Sequence, residues 1–158
     1  MGCGKSSVGR ELASLLHLSF TDLDEYIARR AGSSIPEIFA SEGEEAFRRR
    51  ELEALRECLG PGVLSLGGGT PTRPDAIRII RQSGALCVFL RASEETLRRN
   101  LGPVAFIRRP MLRTHELSEL LAARTPLYES LADITLDIDG LSVPEVSQIL
   151  AAEIRCRG

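Results

Sequence analysis

The sequence predicts an α/β fold, a parallel sheet flanked by helices. Three observations point there. Short runs such as Ser19-Phe20-Thr21, Val63-Leu64-Ser65-Leu66 and Ile134-Thr135-Leu136 alternate with longer stretches of helical periodicity. Leu86 to Leu90 is apolar throughout, the pattern of a parallel strand covered on both faces. Gly2-Cys3-Gly4-Lys5-Ser6-Ser7 leads straight into Val8, Leu12, Leu15 and Leu16 at helical spacing, so small residues and a lysine open a helix. Backbone N–H groups free of side-chain bulk converge there on an anion, and the helix start adds its positive dipole end. The segment is therefore a phosphate-binding loop.

Taken in order, residues 5–17 form the helix behind the loop. Ser19 to Thr21 is a short strand running into Asp22-Leu23-Asp24. Glu25 to about Ala31 is a helix, ended by Gly32. Ser34 caps the next helix, with Pro36 tolerated in its first turn because that N–H has no partner there anyway. Gly43 breaks it, and Glu44 to Leu59 continues with Phe47, Leu52, Leu55 and Leu59 on the inner side. Gly60-Pro61-Gly62 turns the chain into the strand Val63 to Leu66, which ends in Gly67-Gly68-Gly69. Residues 74–83 are helical, Leu86 to Leu90 is a strand, and Ser93 caps a helix from Glu94 to Leu101. Gly102 to about Thr114 reads as an irregular, arginine-rich stretch. A helix spans Glu116 to about Arg124 and is interrupted by Pro126. Ile134 to Leu136 is the last strand, residues 137–144 a loop, and Val143 to Ile154 the closing helix.

The chain of 158 residues fits one domain with a single core. A net charge of −2 gives no general attraction to nucleic acid or to an anionic membrane, so any basic site is local. Two tyrosines and no tryptophan argue against an aromatic-lined nucleic-acid surface. There is neither an apolar run of bilayer length nor a signal peptide. Cys3, Cys58, Cys87 and Cys156 match no metal or disulfide spacing and read as reduced thiols of a cytoplasmic protein. Gly2, Cys3 and Ser6 also match an acylation signal, but the helical pattern immediately after them favours a packed helix start over a free tail.

Of the 20 cationic residues, Lys5 is the single lysine against 19 arginines. A compact ammonium kept at that place suits a site that needs a point charge among phosphate oxygens and has no room for a planar fork. Lys5-Ser6, Asp22/Asp24 and Gly67 to Gly69 all lie just past strand ends or at the loop, so they are expected to face one crevice. Lys5 would balance terminal phosphate charge and Ser6 would ligate Mg²⁺, while Asp22 can hold the metal's bound waters. Asp24 could accept a proton from a hydroxyl; helix capping is the competing explanation of Asp-X-Asp. Three successive glycines after a strand let a ligand approach the backbone closely. Arg48 and Arg124, judged on chemistry alone, read as solvated charges. His17 and His115 have no partner pattern and read as structural or surface residues. Another small-molecule kinase of the same fold, for gluconate or a nucleotide, and a non-catalytic binding module remain open at this point.

The ordered motifs GCGKSS, FTDLDEYI, SIPEIFASEGEEAFRRRE, LSLGGG, RRP, RTPLY and IDGLSVPEV resemble those of shikimate kinase over nearly the whole chain. The resemblance implies a P-loop kinase fold of the nucleoside monophosphate kinase type, in one domain over 1–158. The substrate-binding helical region would span about 25–60 and a lid about 102–115. It implies a phosphotransferase that moves the ATP γ-phosphoryl group to the 3-hydroxyl of shikimate in aromatic amino acid biosynthesis, with ATP and Mg²⁺, as a cytoplasmic monomer without nucleic-acid or membrane partners. Gly2, Cys3, Gly4, Lys5, Ser6 and Ser7 would hold the phosphates, with Ser6 and Asp22 at the metal. Lys5, Asp24 and Arg109 would be catalytic, Arg109 as the lid cation. Asp24, Arg48, Gly67, Gly68, Gly69 and Arg124 would bind shikimate, the two arginines gripping its carboxylate. Arg99 and the loop before Pro144 would flank the adenine. Relative to that family pattern the lid is a few residues short. The strand and first glycine that precede the phosphate loop do not stand in the sequence. The expectation is therefore a sheet lacking its first central strand, a natural start several residues earlier, and poor folding and weak ATP binding for a chain begun at Met1.

Overall fold

Strands and helices alternate along the chain in the computed structural model, which describes residues 2–108 and 117–157, the side chains of 102–108 excepted. Helix α1 spans Lys5–Leu16, strand β1 Phe20–Asp22, α2 Leu23–Ala31 and α3 Ile35–Cys58. Strand β2 (Val63–Ser65) is followed by a short 3₁₀ turn at Thr70–Thr72 and by α4 (Pro74–Ser83). Then come β3 (Val88–Arg91), α5 (Glu94–Arg108), α6 (Leu117–Leu131), β4 (Ile134–Asp137) and α7 (Val143–Arg157).

Local chemistry sets most of these limits. Ser34 and Glu37 form a reciprocal capping box at the start of α3, the Glu37 carboxylate accepting from Ser34 N–H at 2.7 Å. Gly43, at φ 82° and ψ 172°, interrupts the helical geometry of α3, as its position in the sequence predicts. Asp22 caps α2, its Oδ1 accepting from the N–H groups of Asp24 and Glu25.

The strands pair in parallel, β1 with β2 and β3 with β4, so that Asp22 lies in register with Ser65. Among the described residues no strand joins β2 to β3, and the sheet is two pairs instead of one continuous surface. What spans the gap is side-chain packing: Val63 of β2 and Val88 and Leu90 of β3 lie against one apolar cluster with Val8, Leu12, Ile134, Val146 and Leu150. A second cluster joins α2, α3 and α4 through Leu23, Ile27, Ile38, Phe47, Leu55 and Ile80. Each such buried side chain is worth about 1.5–3 kcal/mol of transfer free energy.

Three expectations are corrected. Residues 86–90 do not form a strand buried on both faces: β3 starts at Val88, its residues are half-buried or exposed, and Leu86 is 42% exposed. Pairing on one side only leaves the other flank of β3 less covered. Residues 102–108 are not irregular but continue α5 to Arg108. Gly102 and Pro103 do not stop it, although an interior proline removes a donor and crowds the carbonyl four residues back. Pro126 does not end α6, which runs on to Leu131, because Tyr128 packs on Phe89 and Leu131 packs on the α2–α4 cluster.

Candidate active site

The phosphate loop is built by backbone geometry. Gly4 caps α1 with φ 74°, a left-handed conformation open to glycine, and its carbonyl accepts from Val8 N–H at 2.9 Å. Asn100 of α5 donates to Gly2 O at 2.9 Å and ties the loop down from outside. Lys5 and Ser6 are thereby set on the first turn of α1, both half-buried, with Ser7 exposed beside them.

Ser6 Oγ donates to Asp22 Oδ2 at 2.5 Å, across from the oxygen that caps α2. The capping explanation of Asp-X-Asp therefore holds at Asp22, where one carboxylate oxygen caps α2 and the other accepts from Ser6. Ser65, in register with Asp22 and 7% exposed, has the one buried side-chain oxygen among the described residues without a hydrogen-bond partner. Its position was open to notice at the end of a strand, but nothing in the sequence marks it as orphaned.

The glycine turn after β2 is the meeting point of the remaining groups. A Cβ on Gly67 would stand 2.8 Å from Asp24 Oδ1. One on Gly69 would stand 2.8 Å from both terminal nitrogens of Arg48, and one on Gly68 3.4 Å from Arg124 Nη1 and from the Tyr128 hydroxyl. Residues 24, 48 and 124, far apart in the chain, thus close on three consecutive glycines. The turn is held in turn by Tyr128, whose hydroxyl donates to Gly68 O at 2.5 Å. Arg48 is aimed by Glu51, 1% exposed, which accepts from Arg48 Nη1 at 2.9 Å and from Thr70 Oγ1 at 2.6 Å. A buried carboxylate needs such partners, since leaving it uncompensated is costly. Glu51 escapes a reading based on charge, although 47, 51 and 55 share the inner helical face.

On the other side of the loop lies a cavity of about 270 Å³, lined by Cys3, Gly4, Thr96, Arg99, Asn100, Ile138 and residues 140–143 among others. Arg99 and the loop before Pro144 do come together there. That loop is pinned by Asp139, whose carboxylate accepts from Ser93 N–H at 3.0 Å; a hydrogen bond from the Thr96 hydroxyl, then the one from Ser93, holds the Asp139 carboxyl below its usual range. Arg109 and His115 lie outside the described residues. His17 is exposed at the end of α1, and the four cysteines are free thiols.

The family model for shikimate kinase matches residues 1–155. The chain belongs to the shikimate kinase family. A shikimate kinase of Thioalkalivibrio sulfidiphilus is 42% identical, covering 98% of this chain and 83% of its own. One from Thermus thermophilus is 43% identical, with coverage of 98% and 85%. Among solved structures, shikimate kinase from Acinetobacter baumannii in complex with shikimate superposes with a TM-score of 0.89 at 33% identity, covering 99% of this chain and 89% of its own. That from Aquifex aeolicus gives 0.82 at 30% identity, with 99% and 94% covered. The fold is thus that of the P-loop kinases of nucleoside monophosphate kinase type.

A shikimate kinase uses ATP and Mg²⁺, and the donor set fits the metal. Ser6, Asp22 and the unpartnered Ser65 hydroxyl offer the hard oxygens that Mg²⁺ and its waters take. Among the described residues no group of three or more His, Cys, Asp or Glu could form an all-protein cage.

Proposed function

We propose that this chain phosphorylates the 3-hydroxyl of shikimate from ATP, a step of aromatic amino acid biosynthesis, with the acid seated on the glycine turn. The observation that carries the reading is the convergence of Asp24, Arg48 and Arg124 on Gly67 to Gly69. Two guanidinium forks suit a carboxylate, because charge-assisted bidentate hydrogen bonds fix both its charge and its plane. Bare glycines let the ring of a small acid approach the backbone.

In this reading Arg48 and Arg124 bind the carboxylate and turn the ring so that the 3-hydroxyl faces Asp24. Asp24 orients that hydroxyl and accepts its proton as the bond to phosphorus forms. Lys5 and the backbone N–H groups of residues 2–7 hold the β- and γ-phosphates and offset the charge that moves during transfer. Bound at Ser6 and Asp22, Mg²⁺ would supply Lewis-acid neutralisation of the phosphate oxygens. Arg99 and the 138–143 loop flank the adenine. Residues of about 25–60 serve the acid, and the sequence motif assigns Arg109 to the phosphoryl group. The chain works as a cytoplasmic monomer; among the described residues no helix is long and apolar enough to cross a membrane.

A coupled assay of ADP release tests this with shikimate, gluconate and nucleoside monophosphates as acceptors. Shikimate is expected to stimulate turnover and the others not. No stimulation by shikimate removes the assignment.

A further inference from the structure

Tyr128 stands one helical turn after Arg124 on α6, so the two side chains rise from the same face. Its hydroxyl donates to the carbonyl of Gly68, sixty positions away, at 2.5 Å. The hydroxyl and Arg124 Nη1 converge on one point, each 3.4 Å from the place a Gly68 Cβ would take. The ring is braced on its other side by Phe89 of β3, at 5.2 Å between centroids and 60° between planes.

We propose that Tyr128 is a positioning residue that fixes Arg124 against the glycine turn and so sets the spacing between the two guanidinium groups that receive the substrate carboxylate. This rests on the reading of Arg48 and Arg124 as the carboxylate clamp. The turn is the common support: Arg48 lies against Gly69 and Arg124 against Gly68. A clamp of two separate forks works only if their separation is held, and neighbouring glycines cannot hold it by themselves. The hydroxyl locks the turn's carbonyl to the same helix that carries Arg124. Burial raises the phenol above its ordinary value, against a smaller opposing pull from the Arg124 guanidinium, so the group stays a neutral donor throughout the working range.

The test is steady-state kinetics of Tyr128→Phe, which removes one oxygen and keeps the ring, with thermal unfolding measured alongside. KM for shikimate is expected to rise about threefold to tenfold, the worth of one lost hydrogen bond, while kcat and KM for ATP stay within about twofold. On an Arg124→Lys background the same change is expected to add less than about twofold, because the group it positions is already altered. An unchanged KM for shikimate, a parallel rise in KM for ATP, or a full additive penalty in the double variant overturns the proposal. So does a uniform loss of activity that follows a lowered unfolding temperature. The failure of the clamp itself is separable: it shows as Arg124→Lys alone leaving KM for shikimate unchanged.

Discussion

Asp24 touches the glycine turn through its carboxylate, while its backbone N–H is spent on the Asp22 cap. Removing its basicity without changing its shape isolates the proton step. Asp24→Asn is expected to lower kcat by about 10²–10⁴-fold with a smaller change in KM for shikimate, read in the ADP-release assay. Lys5 makes a complementary case. Lys5→Arg keeps the charge but replaces a point ammonium with a planar fork, and kcat/KM is expected to fall by about 10²–10³-fold. Both residues were legible from spacing alone, since a loop before a helix and an acid after a strand are short-range patterns. Ser65, Glu51, Thr70 and Tyr128 were not. Glu51, Thr70 and Tyr128 act through partners 19 to 60 positions away, and Ser65 is marked only by its register with Asp22; no local periodicity encodes either.

Along α3, the network of Arg48, Glu51 and Thr70 joins the helix to the turn that follows β2. Thr70→Val removes one donor from a buried carboxylate at almost constant volume. A loss of about 1–3 kcal/mol is expected in denaturant unfolding. Gly69→Ala acts on the same network, because its new Cβ would stand 2.8 Å from both terminal nitrogens of Arg48, which Glu51 holds. Pushing Arg48 off a buried carboxylate is expected to cost about 1–3 kcal/mol, while KM for shikimate rises severalfold. Element limits at caps, such as Ser34 and Gly32, were readable because capping chemistry is local. The courses of α5 beyond Gly102 and of α6 beyond Pro126 were not. An interior proline removes one backbone donor and crowds the carbonyl four residues back, and whether the helix continues nonetheless depends on what its next turn packs against.

At the scale of the whole molecule, alternation of strand and helix predicted the layers, and the expected lack of a first central strand agrees with the gap between β2 and β3 among the described residues. The exposure of Leu86 and the half-burial of β3 were not foreseen. Apolar content shows which residues avoid water, not how many neighbours the sheet supplies. The loop that closes the 270 Å³ cavity adds a pH dependence to the assembled fold. Asp139 has a folded pKa below its ordinary value, so its contribution is complete above the usual carboxylate range and is lost as pH falls through the depressed value. Thermal midpoints of the parent chain and Asp139→Asn are expected to differ near neutrality and to converge in acid. Finally, a lone lysine among 19 arginines means that side-chain primary amine is present at one address only. An amine-selective acylating reagent therefore has one side-chain target, on the first turn of α1, besides the terminal α-amine. Modification at residue 5, told apart from the terminal amine by fragment-ion mass, is expected to stop turnover, and saturating ATP is expected to slow it severalfold.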